Sequence, residues 1–344
     1  MKTITHILGI DISKSKFDVH LRTLAGSDPT HSAIFTNNAK GFGQLRRWLA
    51  SHGVSHAQSL HACLESTSRY GDALALWLYG QGHQVSLVNP RRTRRYADSR
   101  LSRTINDRID AGLIADFCAN EREKLRLWEP LPSSHRQLQD LTRARQALVE
   151  HRDGFMNLLE TAQGLVRKSF QRQIRALEKE IERLEQALEK FLKAAPELKR
   201  QVDLADSIPA VGVITAATVL AELPPLSRLS RANQAIALLG MDPKGKTSGD
   251  TVKTPARLSK MGSRRGRRAL YMPALTALRC NPLIQAMGRR LKEQGRSGKY
   301  IVTAAMRKLL RLIYGVIKSG KPFNPHWLAQ PASNIASPPI PAIA

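Results

Sequence analysis

The sequence predicts an N-terminal α/β domain, followed by a helical or coiled-coil connector and a mainly α-helical C-terminal domain. Three observations predict this order. Short apolar segments rich in β-branched residues alternate with helical patterns up to about residue 90. From residue 133 to about residue 200 the pattern is only helical, and a second globular region begins near residue 204. With 344 residues, 42% of them hydrophobic, the chain is long enough for two or three domains.

The N-terminal elements predict one mixed sheet. Ile4–Ile12 is predicted as a strand, Phe17–Leu21 as its returning hairpin partner and "HSAIFTN" as a third strand. A helix at Gly41–His52, the strand "SLHACLE", the helix "YGDALALWLYGQG" and the strand "HQVSLVNP", which Pro90 ends, come next. A further helix follows. Three strands followed by helix, strand, helix, strand and helix predict an open mixed sheet, and this is the order of an RNase H-like domain.

The remaining chain predicts a connector, a helical domain and a tail. In the connector, apolar residues alternate by threes and fours over fewer than three heptads, which favours a coiled-coil partner helix. The predicted domains are residues 1–132, 133–203 and 204–327, and the Pro/Ala-rich tail, 328–344, is predicted to be disordered. The apolar residues of the connector stripe are Ile174, Leu177, Ile181, Leu184, Leu188 and Phe191.

The charge of the chain indicates a polyanionic partner. It has 54 Lys and Arg against 28 Asp and Glu, a net charge of +26. This excess is larger than solubility requires, so nucleic acid is the expected partner. The three cysteines lie far apart without a CxxC pair, which predicts neither a disulfide framework nor a zinc site. The longest uncharged apolar segment, 208–221, is shorter than the roughly 18 residues of a membrane span, and a cytoplasmic protein is expected.

Four acidic residues stand where they could meet. Asp11 ends the first predicted strand, Glu65 ends the fourth, and Asp107 and Asp110 share one face of a predicted helix. Singly, each acid has an ordinary alternative role. Asp11 could cap a turn, and Glu65 could be a surface acid at a strand end. Asp107 could be a helix N-cap, for which Asn106 competes, and Asp110 could be an acid in the first turn of the helix. In an RNase H-like sheet, however, the first and fourth strands are neighbours and a later helix packs across their ends. Four such carboxylates require a divalent cation, which predicts Mg²⁺ or Mn²⁺.

A basic segment, 244–268, contains nine Lys or Arg residues and one acid. Its simplest interpretation is a flexible nucleic-acid-binding loop. Ser248 precedes a glycine there, and a hydroxyl on such a turn, among cations, is a candidate nucleophile. The upstream segment "SIPAVGVITAATVLAEL" predicts a helix-hairpin-helix or an ordinary αα-hairpin. The predicted nucleic-acid contacts are Arg91, Arg92, Arg94, Arg95, Lys244, Lys246, Lys253, Arg257, Lys260, Arg264, Arg265, Arg267 and Arg268.

Several motifs in order carry a resemblance to a known family. "GIDISKSKFDV", "VNP", "SIPAVG", "LLGMDP" and "RLSKMGSRRGRRALYMPA" resemble insertion-sequence transposases of the IS110 family, relatives of the Piv DNA invertase. The resemblance spans nearly the whole chain. It implies a DEDD RuvC-like domain, a helical connector and a C-terminal transposase domain with a catalytic serine. The tetrad falls on Asp11, Glu65, Asp107 and Asp110, and the serine falls on Ser248.

The resemblance also implies a mechanism and partners. Such enzymes are recombinases that use metal at the tetrad and serine attack to form a 5′-phosphoserine DNA intermediate. A structured non-coding bridge RNA pairs with donor and target DNA, and tetramers built from dimers form composite sites. This chain departs from the family pattern at Ser68, Ile105 and Ala210, where Gly, Lys and Gly are usual. Two alternatives are a RuvC-like Holliday-junction nuclease, which needs the acids but not Ser248, and a non-catalytic basic DNA-binding protein, which needs neither.

Overall fold

A computed structural model describes most of the chain, which forms two compact units, residues 1–130 and 131–344. The described residues are 4–24, 30–54, 59–65, 69–99, 107–244, 247–248, 252–253 and 257–325. At 69, 107–109, 244, 247–248, 252–253 and 257 only the backbone is described. Ser68, Ile105, Lys246 and the predicted tail lie outside this part, and the predicted domain boundaries stay predictions. Among the helices it contains, none has the length and apolar character needed to cross a bilayer.

The N-terminal unit contains the expected five-stranded mixed sheet. Its spatial order is β3-β2-β1-β4-β5. β2 pairs antiparallel with β1 and with β3, whereas β4 pairs parallel with β1 and with β5. Four helices accompany the sheet, with 3₁₀ turns at 69–71 and 122–124. The elements are β1 His6–Ile12, β2 Lys16–Thr23, β3 His31–Thr36, α1 Ala39–Ser51, β4 Leu60–Glu65, α2 Asp72–Gly80, β5 Gln84–Val88, α3 Pro90–Ser99 and α4 Asp107–Glu121.

The two faces of the sheet are apolar and covered by different helices. Leu8 and Ile10 share one core with Leu45 of α1 and Leu74 of α2. On the other face, Ile7 joins the smaller core that α4 supplies. Because side chains alternate between the faces of a strand, β1 is buried on both sides, which explains its nearly continuous apolar sequence.

Gly9 lets α4 lie directly on β1. A Cβ atom at this position would be 2.1 Å from the carbonyl oxygen of Ala111 and 2.3 Å from the backbone nitrogen of Ala115. Any larger residue would therefore push the helix away from the strand. The close approach brings the helix that carries Asp107 and Asp110 against the strand that carries Asp11.

The second unit is mainly α-helical, as expected. Its core is formed by α7 to α12 together with one end each of α5 and α6. Four very short strands separate α9 from α10. The elements are α5 Ser133–Leu159, α6 Gly164–Ala194, α7 Pro196–Asp206, α8 Val213–Glu222, α9 Ala232–Leu238, β6 Pro243–Lys244, β7 Thr247–Ser248, β8 Val252–Lys253, β9 Arg257–Leu258, α10 Arg264–Cys280, α11 Pro282–Glu293 and α12 Gly298–Ser319.

The partner of the predicted coiled-coil stripe is a helix of the same chain. Ile174, Ile181 and Leu188 are buried at a spacing of seven residues on α6. The helix packs along α5, with Arg145 Nε 2.6 Å from Glu185 Oε1 between them. The heptad pattern therefore describes an intramolecular helix pair.

The turn between α7 and α8 contains a backbone conformation that favours glycine. Ala210 has φ +82°, whereas an L-residue avoids this region because its Cβ approaches the following carbonyl oxygen. This is the position at which the IS110-like pattern usually has glycine. The two helices pack on each other as an αα-hairpin, and the helix-hairpin-helix contact with DNA stays a prediction.

We expect Ala210→Gly to stabilise the protein by roughly 0.5–1 kcal/mol. Relief of about 1–2 kcal/mol of left-handed strain exceeds the roughly 0.5–1 kcal/mol that glycine costs in the unfolded chain. Urea denaturation measures the change. The control, Ala286→Gly on the exposed side of α11, should destabilise by about 1 kcal/mol. Equal destabilisation by both variants would contradict the strain at Ala210.

Candidate catalytic carboxylates and nucleic-acid interface

Asp11 and Glu65 lie at the carboxyl ends of adjacent strands. In the parallel pairing of β1 with β4, Ile10 is opposite Leu64, so the following residues of both strands continue side by side. Both acids are partly exposed. Asp11 lies two residues after Gly9 on β1, and Glu65 lies two residues after Cys63, the residue opposite Gly9 on β4. Because side chains alternate along a strand, both acids are on the face of the sheet that α4 covers. The two strand-end acids are thus on neighbouring strands, and their role as metal ligands stays a prediction.

The direction of α4 brings its first turn toward the same end of the sheet. A Cβ on Gly112 would lie 3.7 Å from His20 of β2, and further along the helix Asp116 Oδ1 is 2.5 Å from Arg22 Nη1. Because His20 is opposite Gly9 and Arg22 is opposite Ile7, α4 runs antiparallel to β1. Its N-terminal turn, with Asp110, consequently lies toward the carboxyl end of β1.

The donor set suits a hard divalent cation, although the described side chains form no complete ligand cluster. Asp11, Glu65 and Asp110 supply carboxylate oxygens, which Mg²⁺ and Mn²⁺ prefer. Within the described ranges, no three Asp, Glu, His or Cys side chains are close enough to hold one ion. The side chain of Asp107 lies outside them. The chemistry of the residues fits the metal, and the ligand geometry stays a prediction.

Asp18 is an acid at this end of the sheet that the sequence reasoning missed. It lies on β2 directly opposite Asp11, is only 4% exposed, and its Oδ2 is 3.3 Å from Lys16 Nζ. Directly opposite residues of antiparallel strands share one face. The alternation of Lys16, Asp18 and His20 was the available signal, because it places polar residues on a single face of β2.

Thr93 is a second missed residue, and it contacts Glu65. It is 1% exposed on α3, and its hydroxyl donates a short hydrogen bond to Glu65 Oε1. The Thr93 Oγ1 atom is also 2.9 Å from the carbonyl oxygen of Pro90. Since a hydroxyl has one proton, the Glu65 and Pro90 oxygens compete for it, and a carboxylate oxygen is a stronger acceptor than a peptide carbonyl. Thr93 therefore orients the Glu65 carboxylate.

We expect Thr93→Val, which keeps the shape but loses the hydroxyl, to lower recombination by about ten- to hundredfold, the usual cost of losing a group that orients a ligand. Thr93→Ser should restore it. The activity of Thr93→Val should also need more Mg²⁺ for half-maximal rate, which a purely structural role would not cause. Recombination by Thr93→Val with the wild-type rate and Mg²⁺ dependence would contradict the role of Thr93.

The four arginines of α3 that were predicted to contact nucleic acid flank the buried Thr93 in sequence. Arg91, Arg92, Arg94 and Arg95 are all exposed. The guanidinium carbon of Arg92 lies 5.2 Å from the centre of the Phe117 ring. The helix therefore presents cations to solvent beside the carboxylates, an arrangement that suits phosphates flanking a reacting group.

Ser248 lies in one of two short antiparallel ladders in the basic segment, for which the simplest interpretation of the sequence was a flexible loop. It pairs with Val252, and Lys244 pairs with Arg257 further from the connecting residues 249–251. Lys253 is also in a strand. Backbone hydrogen bonds thus order part of the basic segment as a hairpin. The side chain of Ser248 is outside the described part, so its role stays a prediction.

The cations that follow this hairpin differ in their surroundings. Lys260, Arg264, Arg265 and Arg268 are exposed. Arg267, in contrast, donates from Nη1 to the carbonyl oxygens of Leu239 at 2.7 Å and Gly262 at 3.0 Å. It ties α10 to the preceding turns, and its contact with nucleic acid remains a prediction.

Comparisons with known proteins agree with these features. A DEDD transposase model of the IS110 type matches residues 8–163, and a model described as transposase of the IS116/IS110/IS902 family matches residues 202–289. The "Pilin gene-inverting protein" of Moraxella bovis is 30% identical over 323 residues, covering 92% of this chain and 97% of that protein. The "Transposase for insertion sequence element IS1111A" of Coxiella burnetii is 26% identical over 274 residues, 71% of this chain and 70% of its own length.

The two matched regions coincide with the two parts of the molecule that carry the candidate residues. The first contains the sheet with Asp11 and Glu65, and the second contains Ser248 and the basic start of α10. Near-complete coverage of a relative at this identity extends the relationship over both units. The chain therefore belongs to the IS110 family of transposases and DNA-inverting recombinases, and it is an enzyme that acts on DNA.

Proposed function

We propose that the N-terminal unit is an RNase H-like, RuvC-like domain whose tetrad, Asp11, Glu65, Asp107 and Asp110, holds Mg²⁺ or Mn²⁺. The single observation that carries this proposal is the placement of Asp11 and Glu65 on adjacent parallel strands, with the first turn of α4 directed toward them. The strand order β3-β2-β1-β4-β5 also supports it. When bound, the divalent cation would neutralise the carboxylates and stabilise charge on phosphodiester oxygens.

The residues around the tetrad position it and its substrate. Thr93 holds the Glu65 carboxylate in one orientation, and the exposed arginines of α3 pair with phosphates of the strand. Gly9 keeps α4 close to β1, which keeps Asp110 near the strand ends. These are the contributions of the chain itself to the carboxylate site.

We further propose that Ser248 is the nucleophile of the recombination. Ser248 gives its hydroxyl proton to a carboxylate of a tetrad, and its Oγ attacks the phosphorus of a phosphodiester. The bond from phosphorus to the 3′ oxygen breaks, and that oxygen leaves as a 3′ hydroxyl after gaining a proton. The product is a 5′-phosphoserine, which conserves the energy of the broken bond. A 3′ hydroxyl of another strand then attacks the phosphoserine and releases Ser248. Arg257, Arg264 and Arg265 are the candidates to hold the charge on the phosphate.

The proposed partners are donor DNA, target DNA and a structured guide RNA, with the enzyme as a tetramer built from dimers. The net charge of +26 and the exposed arginines of α3 support a nucleic-acid partner. The RNA and the tetramer rest on the resemblance to the family. Purification from the host followed by sequencing of the bound RNA tests the guide, and light scattering of the loaded complex tests the tetramer. Recovery of random cellular RNA would contradict a dedicated guide.

Recombination of donor and target DNA by the purified protein tests the function as a whole. We expect product only when donor, target, guide RNA and a divalent cation are present together. Product formed in EDTA would contradict the metal site, and product formed without RNA would contradict guidance. Cleavage of four-way junctions without any rejoined product would favour the RuvC-like nuclease instead.

A further inference from the structure

A basic cavity lies in the second unit, between α5, α8 and the start of α10. Its volume is about 350 Å³, and four arginines and two glutamates are among the residues that line it. Its charged lining residues are Arg143, Glu150, Glu222, Arg264, Arg265 and Arg268.

The inner wall of the cavity is a fixed network around Glu222. Arg143 Nε is 2.7 Å from Glu222 Oε1, and the Ser263 hydroxyl donates to Oε2 at 2.6 Å. The Glu222 side chain is only 5% exposed. Burial raises the pKa of Glu222, but the hydrogen bonds from Arg143 and Ser263 outweigh it, so that the pKa is lowered overall. Glu222 is therefore ionised, and it holds both neighbours in place.

The outer wall has an excess of positive charge. Arg268 Nη1 is 2.5 Å from Glu150 Oε1, in an ion pair whose two side chains are about half exposed. Arg264 and Arg265 are exposed, and no ion pair within 4.0 Å joins either of them to an acid in the described part of the chain. Four arginines against two glutamates leave the lining with an excess of two positive charges, and Arg265 also helps to lower the pKa of Glu222.

We propose that this cavity binds one phosphodiester group of a nucleic-acid strand, held by Arg264 and Arg265 against the wall that Glu222 and Arg143 form. An arginine pair can hold phosphate oxygens through parallel N–H bonds, which a lysine cannot do. The buried Glu222 fixes the wall through its bonds to Arg143 and Ser263. The proposal rests on the proposed function, because Arg264 and Arg265 are also candidates to hold the phosphate that Ser248 attacks, but its test measures binding, which does not require the attack by Ser248.

The test compares two pairs of arginines of equal charge and exposure in the full-length protein. Arg264→Gln/Arg265→Gln removes the cavity pair, and Arg289→Gln/Arg290→Gln removes an adjacent exposed pair on α11 as the control. The probes are a labelled DNA duplex of arbitrary sequence and a labelled single-stranded RNA of equal length. Binding is measured over a range of salt concentrations, because salt dependence counts the phosphates that are neutralised.

If the cavity takes a duplex DNA strand, the cavity variant should lose about 0.9 from the magnitude of the salt slope, the value for one neutralised phosphate, and about fivefold in affinity at about 0.15 M salt. If the strand is single-stranded RNA, the slope should change by about 0.7 with that probe only. Either outcome supports the site and identifies whether its phosphate comes from duplex DNA or from single-stranded RNA. Equal losses by the two double variants, or none by the cavity variant, would overturn the proposal.

A substitution that removes a negative charge from the cavity, instead of positive charges, provides a second test. Glu150→Gln releases Arg268 from its partner at the mouth of the cavity, so binding should tighten by up to about fivefold. The control is Glu160→Gln, an exposed acid at the C-cap of the same helix, which loses the same charge away from the cavity. An equal gain in both variants would show that net charge alone acts, and it would overturn the site.

Discussion

Asp11→Asn is expected to reduce strand exchange by at least about a thousandfold while the protein stays folded. A carboxylate that is lost from the site no longer helps to retain the cation, which contributes several kcal/mol to the transition state, and each 1.36 kcal/mol is tenfold in rate. Without metal, the variant should be as stable as the wild type or more stable, because repulsion from Asp18 on the opposite strand is relieved. Glu65→Gln, Asp107→Asn and Asp110→Asn should behave alike.

The measurement is recombination of donor and target DNA, together with thermal unfolding in EDTA. Asp116→Asn is the matched control, because it lies on the same helix as Asp110 but pairs with Arg22 at the other end of the face. It should keep its activity and lose at most about 1 kcal/mol of stability. Wild-type recombination by Asp11→Asn, or activity that EDTA does not reduce, would contradict the metal site.

Ser248→Ala is expected to bind guide RNA and DNA normally but to form neither a covalent protein–DNA adduct nor recombinant product. Alanine removes the Oγ that would bond to phosphorus, whereas the proposed phosphate contacts of Lys and Arg residues do not involve this hydroxyl. Denaturing electrophoresis with labelled DNA and guide RNA detects the adduct as a shifted protein band. Ser259→Ala is the control, since this neighbouring serine donates to Asp242 Oδ1 at 2.5 Å and should still allow the adduct.

Comparison with Asp11→Asn makes the serine experiment decisive between two mechanisms. If the tetrad and Ser248 act together, neither variant alone forms the adduct. If they act from different protomers of a tetramer, mixing the two variants should restore part of it. Nicking of DNA by Ser248→Ala at the wild-type rate would instead favour the RuvC-like nuclease.

The sequence by itself determined the order of the elements and the positions of the strand-end acids. Alternation and β-branched residues predicted the five strands, because burial on a sheet imposes a period of two. The parallel pairing that places Asp11 beside Glu65 follows from that order. The i, i+3 spacing likewise predicted that Asp107 and Asp110 share a helix, and both are in α4.

Only the tertiary structure decided which residues surround those acids. The Asp18 carboxylate opposite Asp11 depends on strand register, and Thr93 meets Glu65 across 28 positions of sequence. The cavity around Glu222 joins three helices whose sequences carry no shared motif. The sequence predicted the apolar coiled-coil stripe of α6, but it did not predict that α5 is the helix that packs against it. Local periodicity reports which side of an element is buried, whereas the identity of the facing residue is set by long-range packing and register.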